Sequence, residues 1–327
     1  MTKLTLSRAL NEGLRRALEE DAKVMIMGED VGRLGGVFRV TDGLQKDFGE
    51  HRVVDTPLAE SGIVGTAIGL ALRGYRPVCE IQFDGFVYPA TDQIISQLAK
   101  MRYRSQGNVT LPVVIRIPFG GGIGAVEHHS ESPEVLFAHT AGLRVVACAD
   151  PVDAFAMIQL AIASDDPVIF FEPKRRYWDK AEVDTSAPLS DALPLDQARI
   201  VHPGDDVTLL SYGPLVRTCL EAALAAAEDG RSVEVIDLRS LSPLDMATIA
   251  ASVARTGRCV IAHEAPVYAG LGAEIAARVT EQCFYSLEAP VLRVGGFAIP
   301  YPPARAEDHY LPDLDRILDA VDRSFGY

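Results

Sequence analysis

The sequence predicts an α/β protein of two doubly wound domains, and three observations support that prediction. Short runs of β-branched and aromatic residues alternate along the chain with longer segments in which apolar residues have helical spacing. Some of the short runs, such as Pro167 to Phe171, are apolar throughout, which is typical of parallel strands covered on both faces. The chain has 327 residues, whereas a single core stops growing at roughly 250–300. We therefore expect mainly parallel sheets, with functional groups at the carboxyl ends of their strands.

The first domain is predicted to span residues 1–180. Its strands are expected at Val24–Met27, Arg52–Val54, Val78–Ile81, Val113–Ile117, Val145–Cys148 and Val168–Phe171. Its helices are expected at Leu6–Glu20, Glu60–Arg73, Tyr88–Arg104 and Val152–Ser164.

A change of composition separates this domain from a second one. Between Lys180 and Gln197 the sequence is rich in Asp, Ser, Pro and Ala without periodicity, so residues 181–198 are predicted to be a linker before a domain at 199–327. Gly230 is placed to cap a helix. The second set of strands is expected at Val207–Leu210, Val233–Leu238, Cys259–Ala262 and Val291–Val294, and its helices at Val216–Glu228, Asp245–Arg255, Ala273–Gln282 and Leu314–Ser324.

Charge and cysteine usage argue against several classes of function. A formal net charge of −14 does not suit a nucleic-acid surface or adhesion to anionic lipid. The longest nearly apolar run, Gly62 to Leu72, is shorter than the roughly 18 residues of a membrane span. The start of the sequence has no apolar secretory stretch, and the five cysteines form no C-x-x-C pair. We expect a cytoplasmic protein with reduced, buried thiols and no membrane or nucleic-acid partner.

Glu60 stands at the start of the nearly uncharged stretch that runs to Leu72. A carboxyl group in apolar surroundings keeps its proton longer than one in water, which suits proton exchange with a heterocycle. Alternatively, an acidic residue at this position serves only the positive end of a helix dipole. The segment by itself leaves both interpretations open.

A polar amide and several aromatic residues follow the strand expected at Val78–Ile81. Gln82 comes directly after that strand, and Phe83, Phe86 and Tyr88 follow it. Ordinary core packing accounts for Phe83. Phe86, if exposed, is suited to stack on a flat ring, with the Gln82 amide as a hydrogen-bond donor or acceptor.

The stretch Gly120–Gly124 matches neither the G-x-G-x-x-G fingerprint of dinucleotide-binding proteins nor a P-loop. It predicts a mobile loop that places Glu127, His128, His129 and Ser130 at the carboxyl edge of the sheet. The two histidines are candidates for proton transfer, or simply part of a polar loop. Zinc is not expected, because a site of this kind needs further ligands and only His139 is near in sequence.

Three segments together resemble a known family: L-A-E-S-G-I-V-G at 58–65, E-I-Q-F-D-G-F at 80–86 and H-H-S-E-S-P-E at 128–134. With G-E-D-V at 28–31 and G-G-V-F at 35–38, they are similar to beta subunits of thiamine-diphosphate-dependent 2-oxoacid dehydrogenases, the decarboxylating component of lipoate-using complexes. The resemblance extends from about Leu4 to the C-terminus. It implies a transketolase-like pyrimidine-binding domain followed by a transketolase C-terminal-like domain.

The resemblance also implies a role for each candidate residue. Glu60 would bond N1′ of the cofactor's aminopyrimidine and favour the imino tautomer that activates the thiazolium ring. Phe86 would stack on the pyrimidine, with Leu58 and Gln82 completing the pocket. His129 would be the acid and base in reductive acylation of a lipoyl group, and His128 would support it.

The chain contains no G-D-G segment of the kind that holds Mg²⁺ and diphosphate in thiamine-diphosphate enzymes. The resemblance implies that an alpha subunit supplies this half of the site, in an alpha-two beta-two heterotetramer served by a lipoyl-bearing acyltransferase core. Gly65 and Gly69 would allow a helix to approach closely, either from a partner or within the domain. The resemblance further implies a potassium ion bound around Ala161, Ser164 and Asp166.

The substrate is predicted from two segments. Residues 129–134 and 170–177 resemble the branched-chain enzymes more than the pyruvate enzymes, which favours 3-methyl-2-oxobutanoate. Pyruvate and acetoin stay open as alternative substrates.

Two other classes of protein are alternatives to this family. A nicotinamide-dependent dehydrogenase would need the glycine fingerprint that is missing here. A non-catalytic assembly subunit also stays open.

Overall fold

The computed structural model describes residues 1–327. Its first fourteen elements are β1 (Thr2–Thr5), α1 (Leu6–Glu20), β2 (Val24–Gly28), α2 (Leu44–Phe48), β3 (Val53–Asp55), α3 (Glu60–Leu72), β4 (Arg76–Glu80), α4 (Ala99–Arg104), β5 (Val114–Phe119), α5 (Glu134–Ala138), β6 (Arg144–Ala147), α6 (Pro151–Ala163), β7 (Val168–Pro173) and β8 (Lys180–Val183). The rest are β9 (Arg199–His202), β10 (Val207–Ser211), α7 (Val216–Glu228), β11 (Val233–Asp237), β12 (Ser240–Ser242), α8 (Met246–Thr256), β13 (Cys259–Pro266), α9 (Leu271–Cys283), β14 (Leu292–Gly296), α10 (Glu307–Tyr310) and α11 (Leu314–Arg323).

Short helical turns complete the structure. The 3₁₀ turns lie at Asp84–Ala90, Glu127–His129, Lys174–Arg176, Leu189–Asp191, Gly213–Leu215, Phe284–Ser286 and Ala304–Ala306, and a π-helical turn lies at Gln93–Leu98. No helix is both long enough and apolar enough to cross a membrane.

A seven-stranded sheet with the order β12-β6-β7-β5-β4-β2-β3 forms the first domain. All neighbours pair in parallel except the antiparallel edge strand β12. Ile26, Val78, Val114 and Val168 pair in a row across the sheet, and all four are buried. Because these strands are parallel, the loops after β2, β3, β4, β5 and β7 leave the sheet at one edge.

Helices α1 and α6 cover one face of this sheet. The Thr5 hydroxyl caps α1 by accepting a bond from the Arg8 amide, and Asp150 caps α6 from the amides of Val152 and Asp153. The two helices pack closely at Gly13, where a Cβ would lie 2.5 Å from the Ile158 side chain. These caps explain why both helix starts were predictable to within one residue.

The second domain contains a five-stranded sheet with the order β14-β13-β10-β11-β9, in which only β9 runs antiparallel to its neighbour. Gly230, with a φ of +75°, directly follows the C-cap of α7, as the sequence predicted. The sequence and the structure agree on two α/β domains with mainly parallel sheets.

One apolar core continues from the first domain into the second. It joins Phe119 and Phe171 to Leu210, Tyr212 and Ile236. The predicted limit after residue 180 falls inside β8, which pairs with β1. Strand β12 lies within the range predicted for the second domain but joins the sheet of the first.

Arg239 fastens the connection between the domains. Its guanidinium donates to the carbonyls of Leu193, Pro194 and Gln197 at 3.2, 2.9 and 2.6 Å. It also pairs with Asp153 of α6 at 3.1 Å. The segment without periodicity is therefore held by main-chain hydrogen bonds.

The helix predicted at Tyr88–Arg104 is wrong as a continuous element. The segment is divided into a 3₁₀ turn, a π-helical turn and α4. Pro89 lies inside the first of these turns and has no amide hydrogen to donate.

Strands β1, β8, β9 and β12 were not predicted. Each pairs antiparallel to its neighbour and has only three or four residues, too few for a clear periodicity.

Candidate active site

Glu60 is the first residue of α3, which follows β3 at the carboxyl edge of the first sheet. Its side chain is buried. Glu29, directly after β2, is buried beside it, and burial together with the negative charges of Glu60 and Asp30 raises the pKa of Glu29. The Glu29 carboxyl group therefore keeps its proton to a higher pH than a carboxyl group in water does.

Gln82, just after β4, bonds to the segment that follows β2. Its Nε2 lies 3.4 Å from the carbonyl of Glu29 and 3.3 Å from the carboxylate of Asp30. Helix α3 packs on the 3₁₀ turn that begins at Asp84 and contains Phe86. The ends of β2 and β4 and the start of α3 thus form one wall.

The rings of Phe83 and Phe86 contact His129, which lies in the segment after β5. The His129 ring stacks on Phe83, with centroids 4.0 Å apart and planes 17° apart. Phe86 meets His129 edge-on at 5.1 Å. The Nδ1 atom of His129 is buried without a hydrogen-bond partner. His128 is exposed, with Nδ1 3.4 Å from the Glu127 carboxylate, so the two adjacent histidines have different surroundings.

A buried ion pair holds the main chain of the segment His129–Glu131. Lys174, after β7, pairs with Asp84 and donates to the carbonyl of His129 at 2.6 Å. The second oxygen of Asp84 accepts from the Glu131 amide at 2.8 Å. Burial raises the pKa of Asp84 to about 6, against the opposing effect of Lys174, and burial lowers the pKa of Lys174. Sequence reasoning assigned no role to either residue.

The glycine-rich loop after β5 is fastened by two carboxylates of the second domain. Glu264 accepts from the Gly121 amide at 3.0 Å. Glu307 accepts from the amides of Gly122 and Gly124 at 2.7 and 3.0 Å. The sequence predicted a mobile loop here. It contained no signal for these bonds, which join residues far apart along the chain.

Glu134 connects the two domains near this loop. It lies at the start of α5 and is fully buried, and the Tyr212 hydroxyl donates to it at 2.5 Å. Burial raises the pKa of Glu134 to about 8, while the bond from Tyr212 lowers it. The folded protein therefore keeps a proton on Glu134 that the unfolded chain releases.

This proton predicts a pH-dependent difference between the wild type and Glu134→Gln. The unfolded carboxyl ionises near 4.5 and the folded one near 8, so the folded state holds more protons in that range and the free energy of unfolding decreases as pH rises. The Gln variant lacks this decrease and gains stability relative to the wild type between pH 5 and 8. Urea unfolding at several pH values measures the difference. The exposed Glu19→Gln change should leave the pH profile unchanged, and parallel profiles for wild type and Glu134→Gln would contradict the prediction.

The remaining candidates are Leu58, two residues before Glu60, and the residues of the predicted potassium site at and after the end of α6. Leu58 is 81% exposed. The Arg76 guanidinium donates to the carbonyls of Ile162 and Ser164 at 3.0 and 3.1 Å, next to the predicted potassium position. No group of three or more His, Cys, Asp or Glu side chains is arranged to hold a metal ion.

The two glycines on the outer side of α3, Gly65 and Gly69, are not closely packed within this chain. Gly69 is exposed, and a Cβ added there would meet no atom within 4 Å. A Cβ on Gly65 would meet only the side chain of Gln93, at 3.6 Å. The face that they form is open on the outer side of the helix that begins with Glu60.

Known families match both domains. The model described as "Transketolase, pyrimidine binding domain" matches residues 2–179, and "Transketolase, C-terminal domain" matches residues 196–317. Among solved structures, a "Split gene transketolase, inactive beta4 tetramer" superposes with a TM-score of 0.79 over 99% of this chain and 98% of that chain, at 22% identity. This structural likeness establishes the fold.

Relatives with much higher identity span nearly the whole chain. A "Pyruvate dehydrogenase E1 component subunit beta" of Leifsonia xyli subsp. xyli is 64% identical over 99% of this chain and 95% of its own length. A "3-methyl-2-oxobutanoate dehydrogenase subunit beta" of Mycobacterium tuberculosis is 56% identical, over 98% and 91%. A "2-oxoisovalerate dehydrogenase subunit beta" of Pseudomonas aeruginosa is 47% identical, over 99% and 95%. Since relatives of both substrate types match over more than 90% of their length, this chain belongs to the family of 2-oxoacid dehydrogenase beta subunits built from transketolase-type domains.

Proposed function

We propose that this chain is the beta subunit of a branched-chain 2-oxoacid dehydrogenase, which acts with thiamine diphosphate and transfers the acyl group to lipoyl groups. One observation carries the proposal. Glu60, Gln82, Phe86 and His129 come from three separate segments, and they converge at one edge of the first sheet. A chain that served only assembly would have no need of a half-buried aromatic and carboxylate wall at this edge.

The residues at this edge fit a flat, polar heterocycle. Three buried polar atoms lack a partner here: Oε1 of Glu29, Oγ1 of Thr56 and Nδ1 of His129. Buried polar atoms of native proteins usually have partners, so unpaired ones suit a ligand with hydrogen-bonding groups. The His129 nitrogen also belongs to a ring that contacts Phe83 and Phe86. When bound, thiamine diphosphate supplies the electron sink that allows CO₂ to leave next to a carbonyl.

Each residue has one task in this proposal. Glu60 exchanges a proton with the pyrimidine nitrogen N1′, which suits a buried carboxyl group. Phe86 stacks on the pyrimidine ring and Gln82 offers its amide. His129 moves protons during transfer of the acyl group to lipoyl sulfur, and His128 supports it from the exposed side.

An alpha subunit completes the site in this proposal. It supplies the segment that binds Mg²⁺ and diphosphate, in an alpha-two beta-two heterotetramer that serves a lipoyl-bearing acyltransferase core. Two exposed features beside Glu60 support a covering partner: the side chain of Leu58 and the open face of α3 at Gly65 and Gly69. Leu58 would then line the cofactor pocket from the rim.

Potassium at Ala161, Ser164 and Asp166 stays a prediction, and several oxygens there also have partners within the chain. The Ala161 carbonyl accepts from the Ser164 amide, and the Ser164 carbonyl accepts from Arg76. The Asp166 carboxylate pairs with Arg102. No step of the proposed mechanism depends on a potassium ion.

The branched-chain substrate rests on the segments 129–134 and 170–177 and on the relatives from M. tuberculosis and P. aeruginosa. Pyruvate is the second candidate, because the relative from L. xyli is 64% identical and carries the pyruvate name. One or two methylenes change the selectivity of a pocket by only about 1–3 kcal/mol each, so overall identity is a weak guide between these acids.

A substrate comparison tests the proposal. Material that co-purifies with this chain is given thiamine diphosphate and Mg²⁺, and reduction of an artificial electron acceptor is measured with 3-methyl-2-oxobutanoate and with pyruvate. We expect the larger kcat/KM with the branched acid. A larger value with pyruvate would keep the mechanism and change the substrate. No turnover with either acid, despite a bound partner, would contradict the catalytic role.

A further inference from the structure

The segment that carries His129 is a closed loop. The Gly120 amide donates to the carbonyl of Glu131 at 2.9 Å, so the chain leaves β5 and returns to the same point. Gly120, Gly122 and Gly124 have φ values of +81°, +83° and +69°. Every second residue of this stretch thus has a positive φ. This alternation turns neighbouring amides toward one side and forms a concavity that binds anions.

A carboxylate of the second domain fills this concavity. The two oxygens of Glu307 accept from the amides of Gly122 and Gly124 at 2.7 and 3.0 Å. The Tyr301 hydroxyl donates to the same carboxylate at 2.6 Å. Glu307 is buried, and bonds with an ionised acceptor are roughly twice as strong as neutral ones.

The base of the loop is fixed to the first domain. Asp84 accepts from the Glu131 amide at 2.8 Å, and Lys174 donates to the carbonyl of His129 at 2.6 Å. The glycine-rich arm of the loop, residues 120–124, has no comparable ion pair within its own domain. Its amides at Gly122 and Gly124 bond to Glu307 instead.

We propose that Glu307 is a positioning residue, through which the second domain holds the loop so that His129 keeps its place on Phe83. This inference rests on the proposed function, in which His129 moves protons during acyl transfer. Without the carboxylate, the arm between Gly120 and Gly124 loses two of its bonds and the loop shifts. A displacement of about 1 Å can lower the rate of a positioned step by about 100-fold.

The test compares Glu307→Gln with Asp308→Asn in the complex that co-purifies with this chain. Gln keeps the side-chain volume, but one carboxylate oxygen becomes an NH₂ that cannot accept from a glycine amide. Asp308 is the next residue of the same turn and is exposed, so it is a matched control. Acylation of a lipoyl domain, reduction of an artificial acceptor and hydrogen exchange of residues 120–131 are measured.

We expect Glu307→Gln to slow lipoyl acylation by about 10- to 100-fold, to leave reduction of the artificial acceptor largely unchanged, and to speed hydrogen exchange in residues 120–131. Asp308→Asn should change none of these. Unchanged acylation and exchange in Glu307→Gln would overturn the inference. An equal fall in both reactions would overturn it too, because that result indicates a general loss of structure.

His129→Ala separates this inference from the function on which it rests. Normal acylation by His129→Ala refutes the proposed role of the histidine. Loss of acylation by His129→Ala, together with normal acylation by Glu307→Gln, refutes only the role of Glu307. If Glu307→Gln does not fold, Tyr301→Phe removes one bond to the same carboxylate and should give a smaller change in the same direction.

Discussion

Glu60→Gln is expected to lower turnover of the complex by about 10²- to 10⁴-fold, the usual contribution of a positioned acid or base. Glutamine keeps the volume of the side chain and can still accept a hydrogen bond, but it cannot exchange a proton with a ring nitrogen. The buried position of Glu60 at the start of α3 gives this exchange a fixed geometry. Single-turnover decarboxylation and the thermal unfolding midpoint are measured for both proteins.

Two results would contradict this role. Near-normal turnover by Glu60→Gln would favour an assembly subunit, in which the carboxylate serves only the helix dipole. Equal loss in Glu60→Gln and in the exposed control Glu19→Gln would indicate damage unrelated to the site. A variant that loses activity with an unchanged unfolding midpoint and an unchanged partner subunit supports the catalytic interpretation.

The edge that carries Glu60 was predictable because its signals are local. The strand runs Arg52–Val54 and Val78–Ile81 were expected in one parallel sheet, so Glu60 and Gln82 had to leave it on the same side. The pair His128 and His129 was recognisable by residue type. The resemblance distinguished His129 from His128, but the stacking of His129 on the Phe83 ring was not predictable from the sequence.

The contacts that hold the site could not be predicted from the sequence, because the residues that form them are far apart along the chain. Lys174 and Asp84 are 90 residues apart, and Gly122 and Glu307 are 185 apart. Lys174, Asp84 and Glu307 taken alone each resemble an ordinary surface charge, and Gly122 resembles an ordinary loop glycine. Only the packing of β7 beside β5, and of the second domain on the first, makes them neighbours.

Arg116→Met is expected to cost about 3–5 kcal/mol of stability, the usual result of leaving buried charge unpaired. The Arg116 side chain on β5 is fully buried and donates to Glu80 of β4 at 2.6 Å and to both oxygens of Glu172 of β7 at 2.6 and 3.0 Å. The Tyr177 hydroxyl also donates to Glu172, at 2.6 Å. Equilibrium urea unfolding measures the loss. Arg217→Met removes two exposed ion pairs and should cost under about 1 kcal/mol.

The pH dependence of this loss identifies its cause. Burial already raises the pKa of Glu80, and Arg116 opposes that rise, so removal of the arginine raises the pKa further. Between the ordinary carboxyl pKa and the raised folded value, the folded state holds a proton that the unfolded chain has released, so the stability of Arg116→Met falls as pH rises. The double variant Arg116→Met, Glu80→Gln should regain part of the stability at neutral pH. A loss that does not change with pH, or no recovery in the double variant, would attribute the effect to lost packing of the arginine side chain rather than to unpaired charge.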